Sequence, residues 1–112
     1  MKKRIAIPLA DDNLCEHFGH CRQFAIVDTD NMNITGETLI VPPPHEPGLL
    51  PAWLAGQGVT DVIAGSMGQR AISLFNNHNI NVFTGAPLKK YSDLVNDFLK
   101  GTLEAGANYC DH

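Results

Sequence analysis

A chain of 112 residues has the length of one domain and can bury a core without disulfide support. Its hydrophobic fraction of 44% excludes a disordered protein, and its net charge of −4 gives no basic footprint for DNA or RNA. The apolar run at 5–9 is too short for a membrane span or a signal-peptide core. We therefore expect one cytoplasmic domain, residues 1–112, whose three cysteines are not structural disulfides.

Apolar side chains at alternate positions predict three strands in the first third of the chain. Residues 3–9 carry isoleucine and leucine at a period of two and form the first strand. Apolar runs at 23–28 and 34–41 form the next two. The Asp- and Asn-rich residues 29–33 favour a turn, because such side chains hydrogen-bond to their own backbone. The second and third strands are therefore expected to pair as an antiparallel hairpin.

Helices and strands alternate in the rest of the chain. Three segments have helical spacing of apolar residues, and short apolar runs at 59–64 and 80–83 separate them as strands. We expect the last helix to be capped by Ser92 and ended by Gly101, and residues 102–112 to form a flexible polar tail. The apolar positions of the three helices are Leu49, Leu50, Trp53 and Leu54, then Ala71, Ile72 and Phe75, and finally Leu94, Val95, Phe98 and Leu99.

The resulting order, βββαβαβα, is typical of an α/β protein built on one sheet. Right-handed crossovers make the later strands parallel, with the hairpin supplying the antiparallel member. Binding sites in such sheets form where the parallel strands end at their carboxyl termini. The loops at 10–21, 41–48 and 65–69 are expected to meet at that edge.

Four potential metal ligands lie within seven residues of the first of these loops. Thiolate and imidazole are the groups that zinc, copper(I) and iron–sulfur species select, and such short spacings let several of them surround one centre. Cysteine and histidine are scarce residue types in proteins generally, so their clustering here favours ligands over incidental surface residues. The four candidates are Cys15, His17, His20 and Cys21.

Further candidate ligands lie outside this cluster. Cys110 and His112 end the chain and could swing onto a site, although a frayed terminus is the alternative. His45 stands in a proline-rich segment that presents it at low entropic cost. By contrast, His78 lies at a predicted helix end, where it interacts with the helix dipole, and is interpreted as structural.

The segment from Gly65 to Gly68 connects a strand to a helix, and backbone amides at such a helix start bind anions. It lacks the lysine of a phosphate-binding loop and the spacing of a dinucleotide fingerprint, so a tight turn is the default interpretation. Together with Arg22 and Arg70 it could receive an anionic ligand, including an anionic cluster.

These motifs, in this order, resemble the dinitrogenase iron–molybdenum cofactor-binding family over nearly the whole chain. That family includes small carriers of the NifX kind and the C-terminal part of the NifB kind. The resemblance rests on His17, Phe18 and Gly19 after the first strand, His45 in the proline-rich loop, the pair Gly65 and Gly68 before a helix, and Cys110 and His112 at the end.

The resemblance implies a ribonuclease-H-like three-layer α/β/α fold without nuclease activity, containing a five-stranded mixed sheet with one antiparallel strand. It also implies transient binding of an iron–sulfur, iron–molybdenum or molybdenum–copper cluster at the loop edge. His17 and His45 stand where the family places histidines near its ligand. The remaining candidates, Cys15, His20, Cys21, Cys110 and His112, resemble the cysteine-richer stand-alone members.

We therefore expect a cluster carrier that is not an enzyme, with cluster donor and acceptor proteins as partners. We expect no binding to nucleic acid or membrane, and a monomer or weak homodimer. Zinc is the other cofactor considered. It belongs to the alternative of a metal or redox sensor, in which the same side chains bind Zn²⁺ or form a Cys15–Cys21 or Cys21–Cys110 disulfide.

Two other functions stay open on the sequence alone. One is a hydrolase that uses a Cys–His nucleophile pair or a carboxylate–metal site including Asp12, although no orienting residue or substrate pocket is recognisable. The other is a domain that only docks a partner, with no role for the ligands.

Overall fold

The structure is a computed structural model that describes residues 2–18, 21–43 and 48–108. Apolar periodicity places most of its elements close to the predicted positions, with the ends of the predicted strands shifted by at most two residues. The elements are β1 (Lys2–Ala10), β2 (Asn13–Leu14), β3 (Gln23–Asp30), β4 (Asn33–Ile40), α1 (Leu49–Gly56), β5 (Asp61–Ile63), α2 (Gln69–Asn77), β6 (Asn81–Thr84), α3 (Tyr91–Lys100) and β7 (Gly106–Asn108).

One mixed sheet contains every strand, in the order β4-β3-β1-β5-β6-β7, with β2 paired to the end of β1. The predicted hairpin is confirmed, since β3 and β4 are antiparallel. The parallel pairing of β1 with β5 and of β5 with β6 agrees with the crossover rule. The α/β class, the mixed sheet and the three helices are therefore confirmed, and the ribonuclease-H-like assignment stays a prediction.

The expected five strands with one antiparallel member are wrong, because β2 and β7 add to the sheet. β3, β2 and β7 all run opposite to the direction of β1. β7 lies in the segment predicted to be a flexible polar tail. Its residues, Gly-Ala-Asn, have low strand propensity, and they pair because β6 offers them an open edge.

Helices cover both faces of the sheet. On one face, α1 and α2 bury Leu54 and Phe75 against Phe24 of β3. On the other, α3 buries Leu94 against Ile7 of β1. β1 is therefore buried on both sides, as the central strand of three layers must be, and its alternate side chains enter two separate cores.

The start of α3 differs from the prediction, while its end agrees. The helix begins at Tyr91 after Lys90, with no side-chain cap, so the expected Ser92 cap is wrong. The first amide instead donates to the carbonyl of Asp12 at 3.2 Å, because the loop after β1 lies against the helix start. Gly101 ends the helix with a φ of +75°, a conformation that glycine adopts without strain.

The Thr29→Val variant is expected to be more stable than the native protein by about 0.5–1 kcal/mol. Thr29 is only 2% exposed, and its hydroxyl has no hydrogen-bond partner within the described part of the chain. Valine keeps the shape and removes the unsatisfied group. Urea unfolding measures the change. The matched variant Thr60→Val should lose stability, because the Thr60 hydroxyl accepts from the Arg4 amide and donates to Asp61.

Candidate functional site

The carboxyl ends of β1, β4, β5 and β6 meet at one edge of the sheet, since these four strands share a direction. The loops predicted to form a site follow three of them. The loop after β1 and the loop after β5 are described except for residues 19 and 20, and residues 44–47 of the loop after β4 lie outside the described residues. The expectation that these loops start from a common edge is confirmed.

Main-chain hydrogen bonds join the loop after β1 to the loop after β5. The amide of Ser66 donates to the carbonyl of Glu16 at 2.8 Å, and the amide of Phe18 donates to the carbonyl of Ser66 at 3.3 Å. His17 and Ser66 thus form a parallel bridge. The cysteine-containing loop therefore has an ordered backbone at residues 15–18. Sequence reasoning missed Ser66 because its contribution is made by the backbone.

Gly65 is the position where these two loops approach most closely. A Cβ atom there would lie 2.9 Å from the Glu16 carbonyl oxygen and 3.3 Å from that of Cys15. A Cβ on Gly68 would meet nothing within 4 Å, and its φ of −69° suits any residue. The two glycines of the motif therefore have different importance, and only Gly65 is required by packing.

Phe18 anchors the same loop to the core. Its ring is 8% exposed and makes edge-on contacts with Phe24 and Phe75, with centroids 5.9 and 5.4 Å away. Such aromatic pairs stabilise by more than their buried area alone. A large apolar residue within a polar loop is the signal from which this anchoring role can be read in the sequence.

Cys15 and Cys21 are free thiols in the loop after β1. The Cys15 thiol donates to the His17 carbonyl at 3.3 Å, and the Cys21 thiol donates to the Phe18 carbonyl at 3.1 Å. Burial, and secondarily the electrostatic effect of Cys15, raise the pKa of Cys21 to about 12. The two sulfurs therefore lie near enough to interact electrostatically.

The pKa of Cys21 predicts a loss of stability in alkali. Its pKa in the folded protein, about 12, exceeds that of an unfolded cysteine, about 8.5. The stabilisation is therefore complete below about pH 8.5 and is lost as the pH rises toward 12. Compared with Cys21→Ser, the native protein should lose on the order of 2 kcal/mol more in free energy of unfolding across this range, a figure discounted for partial exposure. Equal alkaline losses in urea unfolding would contradict the buried thiol.

Cys21 is one of several partly buried side chains that pack against the core on the α1 and α2 face of the sheet. Ile40, Trp53 and Met67 pack with it against the core beneath α1 and α2. These residues come from β4, α1 and the loop after β5. A low-polarity surrounding disfavours a bare thiolate and favours one whose charge a bound cation neutralises.

The other residues that the sequence predicted as ligand-binding are spread over several elements. His17 is exposed, Arg70 is exposed in the first turn of α2, and His78 is at the C-cap of α2 as expected. Arg22 borders a cavity of 500 Å³ together with Asp11. Among the described residues, no three His, Cys, Asp or Glu side chains are grouped as a metal site requires. His20, His45, Cys110 and His112 lie outside the described residues.

The direction of β7 concerns the candidate ligands at the end of the chain. It runs antiparallel to β6, so the chain passes from Gly106 at the loop edge to Asn108 opposite Val82, away from that edge. Cys110 and His112 follow β7 and lie outside the described residues.

None of the helices within the described ranges is both long and apolar enough to cross a membrane.

Comparison with known proteins identifies relatives over almost the full length. The family model described as dinitrogenase iron-molybdenum cofactor matches residues 1–101. The uncharacterized protein MJ0580 of Methanocaldococcus jannaschii is 32% identical over 106 residues, which are 90% of this chain and 89% of that protein. The crystal structure of PH0822 superimposes with a TM-score of 0.85 at 34% identity, covering 91% of this chain and 93% of the other.

A more distant likeness concerns the fold alone. The apo form of the orange protein from Desulfovibrio gigas has a TM-score of 0.73 at 23% identity. The match covers 95% of this chain and 96% of that one. The arrangement of strands and helices described above is therefore shared beyond the range of clear sequence similarity.

Proposed function

The chain belongs to the dinitrogenase iron–molybdenum cofactor family, and we propose that it binds a metal–sulfur cluster and delivers it, rather than catalysing a reaction. One observation supports this most directly. Two free, electrostatically coupled thiols lie at the sheet edge, in a loop that main-chain bonds and a buried phenylalanine hold in place. Thiolates are the ligands that iron–sulfur, iron–molybdenum and molybdenum–copper clusters share.

The thiolates of Cys15 and Cys21 are the proposed ligands, with His17 beside them. A cluster binds thiolates, so both thiols must release their protons when it arrives. The raised pKa of Cys21 means that this thiol is neutral in the metal-free protein at neutral pH. Proton and cluster therefore compete for the same sulfur. That competition suits a carrier, which must hold its cargo and also give it up.

Positive groups at the edge would offset the charge of an anionic cluster. The amide of Ser66 already donates to Glu16, so the segment from Gly65 to Gly68 offers fewer free amides than its sequence suggests. α2 begins just after it without a side-chain cap, which leaves its first amides as donors. We include these amides, Arg70 and Arg22 in the proposed cluster environment.

Four predicted ligands remain in the proposal with less structural support than Cys15 and Cys21. His20 belongs to the loop after β1, and His45 belongs to the loop after β4. Cys110 and His112 follow β7 at the end of the chain. A subset of ligands suffices for a cargo that is to be released.

The second candidate function is a zinc or redox sensor, which the proximity of the two free thiols also favours. It would bind Zn²⁺ without colour, or form a Cys15–Cys21 disulfide under oxidation.

As a carrier, the protein would instead work in the cytoplasm as a monomer or weak homodimer and exchange its cluster with donor and acceptor proteins.

Anaerobic reconstitution separates these functions. The untagged protein is incubated with iron and sulfide, or with Zn²⁺ alone, and is then desalted. We expect iron and sulfide to remain bound in comparable amounts, with visible charge-transfer absorption that weakens as the pH is lowered and the thiolates are protonated. Retention of zinc with no retained iron or sulfide would instead assign the protein to the sensor class.

A further inference from the structure

Met67 lies in the loop after β5, in the segment whose backbone runs beside the cysteine loop. The residue before it, Ser66, forms the parallel bridge with His17 and accepts a hydrogen bond from the Phe18 amide at 3.3 Å. Backbones paired in this way lie about 5 Å apart, and side chains that follow two bridged residues point to the same face. Met67 and Phe18 are therefore neighbours across the two loops.

Packing agrees with this placement. Phe18 belongs to the core on the α1 and α2 face of the sheet, and Met67 and Cys21 both pack against that same core. The Cys21 thiol donates to the carbonyl of Phe18 at 3.1 Å, and the Cys15 thiol donates to the preceding carbonyl, that of His17, at 3.3 Å. Three sulfur-containing side chains from two loops are thus placed around one short stretch of backbone.

The thioether of Met67 differs chemically from the other candidate ligands because it is soft and carries no charge. Copper(I) accepts thioether as well as thiolate sulfur, whereas zinc sites in proteins use thiolate, imidazole and carboxylate. Cys15 is 7% exposed and Cys21 is partly buried, so as thiolates they would place two negative charges in a site of low polarity. A neutral third ligand adds no further repulsion or desolvation cost.

Two thiolates and one thioether are complementary to a soft monovalent cation. We propose that Met67 is a third sulfur ligand beside Cys15 and Cys21, and that it selects copper(I) over zinc. The inference rests on the proposed function, since it uses the same two thiols and names copper(I) as a metal of the cargo. Copper(I) replaces the two thiol protons, which pass to the solvent, and its oxidation state does not change.

Anaerobic competition of the metal-free protein with bicinchoninate, a chelator that colours on binding copper(I), measures the affinity. Met67→Leu keeps the volume of the side chain and removes its sulfur. We expect this variant to bind copper(I) about tenfold more weakly, and to change Zn²⁺ affinity, measured against a zinc indicator, by less than about twofold. X-ray absorption at the copper edge should show one sulfur neighbour fewer than in the native protein.

Met32→Leu is the matched control, because Met32 is 60% exposed in the turn between β3 and β4. It makes the same substitution away from the thiols and should leave both affinities unchanged.

Two results would overturn the proposal. One is equal copper(I) affinity in native protein and Met67→Leu. The other is a parallel loss of copper(I) and Zn²⁺ affinity in that variant, because it would reduce Met67 to packing of the loop. Failure of the proposed function is a different result, namely native protein that retains no iron or sulfide after reconstitution. The copper(I) titration compares variants of the metal-free protein and gives its answer whether or not a cluster is retained.

Discussion

Replacing Cys15 and Cys21 together with serine will abolish cluster retention. Serine is close in size and can still donate to the carbonyls of His17 and Phe18, so the loop keeps its internal hydrogen bonds. It removes the soft thiolates that the cluster requires. After anaerobic reconstitution and desalting, we expect bound iron and sulfide in the double variant to fall at least about tenfold below the native protein.

Two controls are needed to interpret the loss of cluster retention in the double variant. Cys110→Ser removes the third thiol, and we expect it to retain the cluster, because the paired β7 directs the chain away from the loop. Thermal unfolding should show the double variant folded at the assay temperature. Full retention of iron and sulfide by a folded double variant would refute the assignment of Cys15 and Cys21. Loss in Cys110→Ser alone would transfer the ligand role to the end of the chain.

The second large effect is expected from adding one methyl group at position 65. In Gly65→Ala the new Cβ would lie 2.9 Å from the Glu16 carbonyl oxygen, which is backbone and cannot rotate away. The loop after β1 must therefore shift away from the loop after β5. We expect a loss of about 1–3 kcal/mol in the free energy of unfolding, together with weakened cluster retention, because the shifted backbone is the one that positions Cys15.

Gly68→Ala is the matched control for this variant. It adds the same methyl group three residues later, where nothing lies within 4 Å and the φ is already ordinary. Its stability should stay within about 0.5 kcal/mol of the native protein, with normal cluster retention. If the two alanine variants behaved alike in urea unfolding and in retained iron, the close approach of the two loops would have no importance for the site.

The fold could be predicted from the sequence where periodicity is strong. The alternation along 3–9, the turn residues before β4 and the helical spacing in α1, α2 and α3 are local signals that can be read along the chain. The strand at Gly106–Asn108 could not be predicted that way. It carries no apolar pattern and forms because β6 leaves an edge open, which is a property of the assembled sheet.

The candidate site, too, could be predicted from the sequence only in part. The types of ligand, thiol and imidazole, can be read from the sequence, as can the edge of the sheet where their loop begins. The bridge between His17 and Ser66 cannot, because main-chain bonds leave no side-chain signature. Nor can the difference between Gly65 and Gly68, since both look like turn glycines until the neighbouring carbonyls are placed.

The most direct test of the central claim, that this protein carries a metal–sulfur cluster on its cysteine loop, is the composition of the protein as isolated. Untagged protein should be purified without oxygen and analysed for metals and for acid-labile sulfide, with its visible spectrum. We predict iron or molybdenum together with sulfide in comparable amounts and charge-transfer absorption. Colourless protein that contains zinc alone, or that holds no metal even after iron and sulfide are supplied, would contradict the cluster assignment.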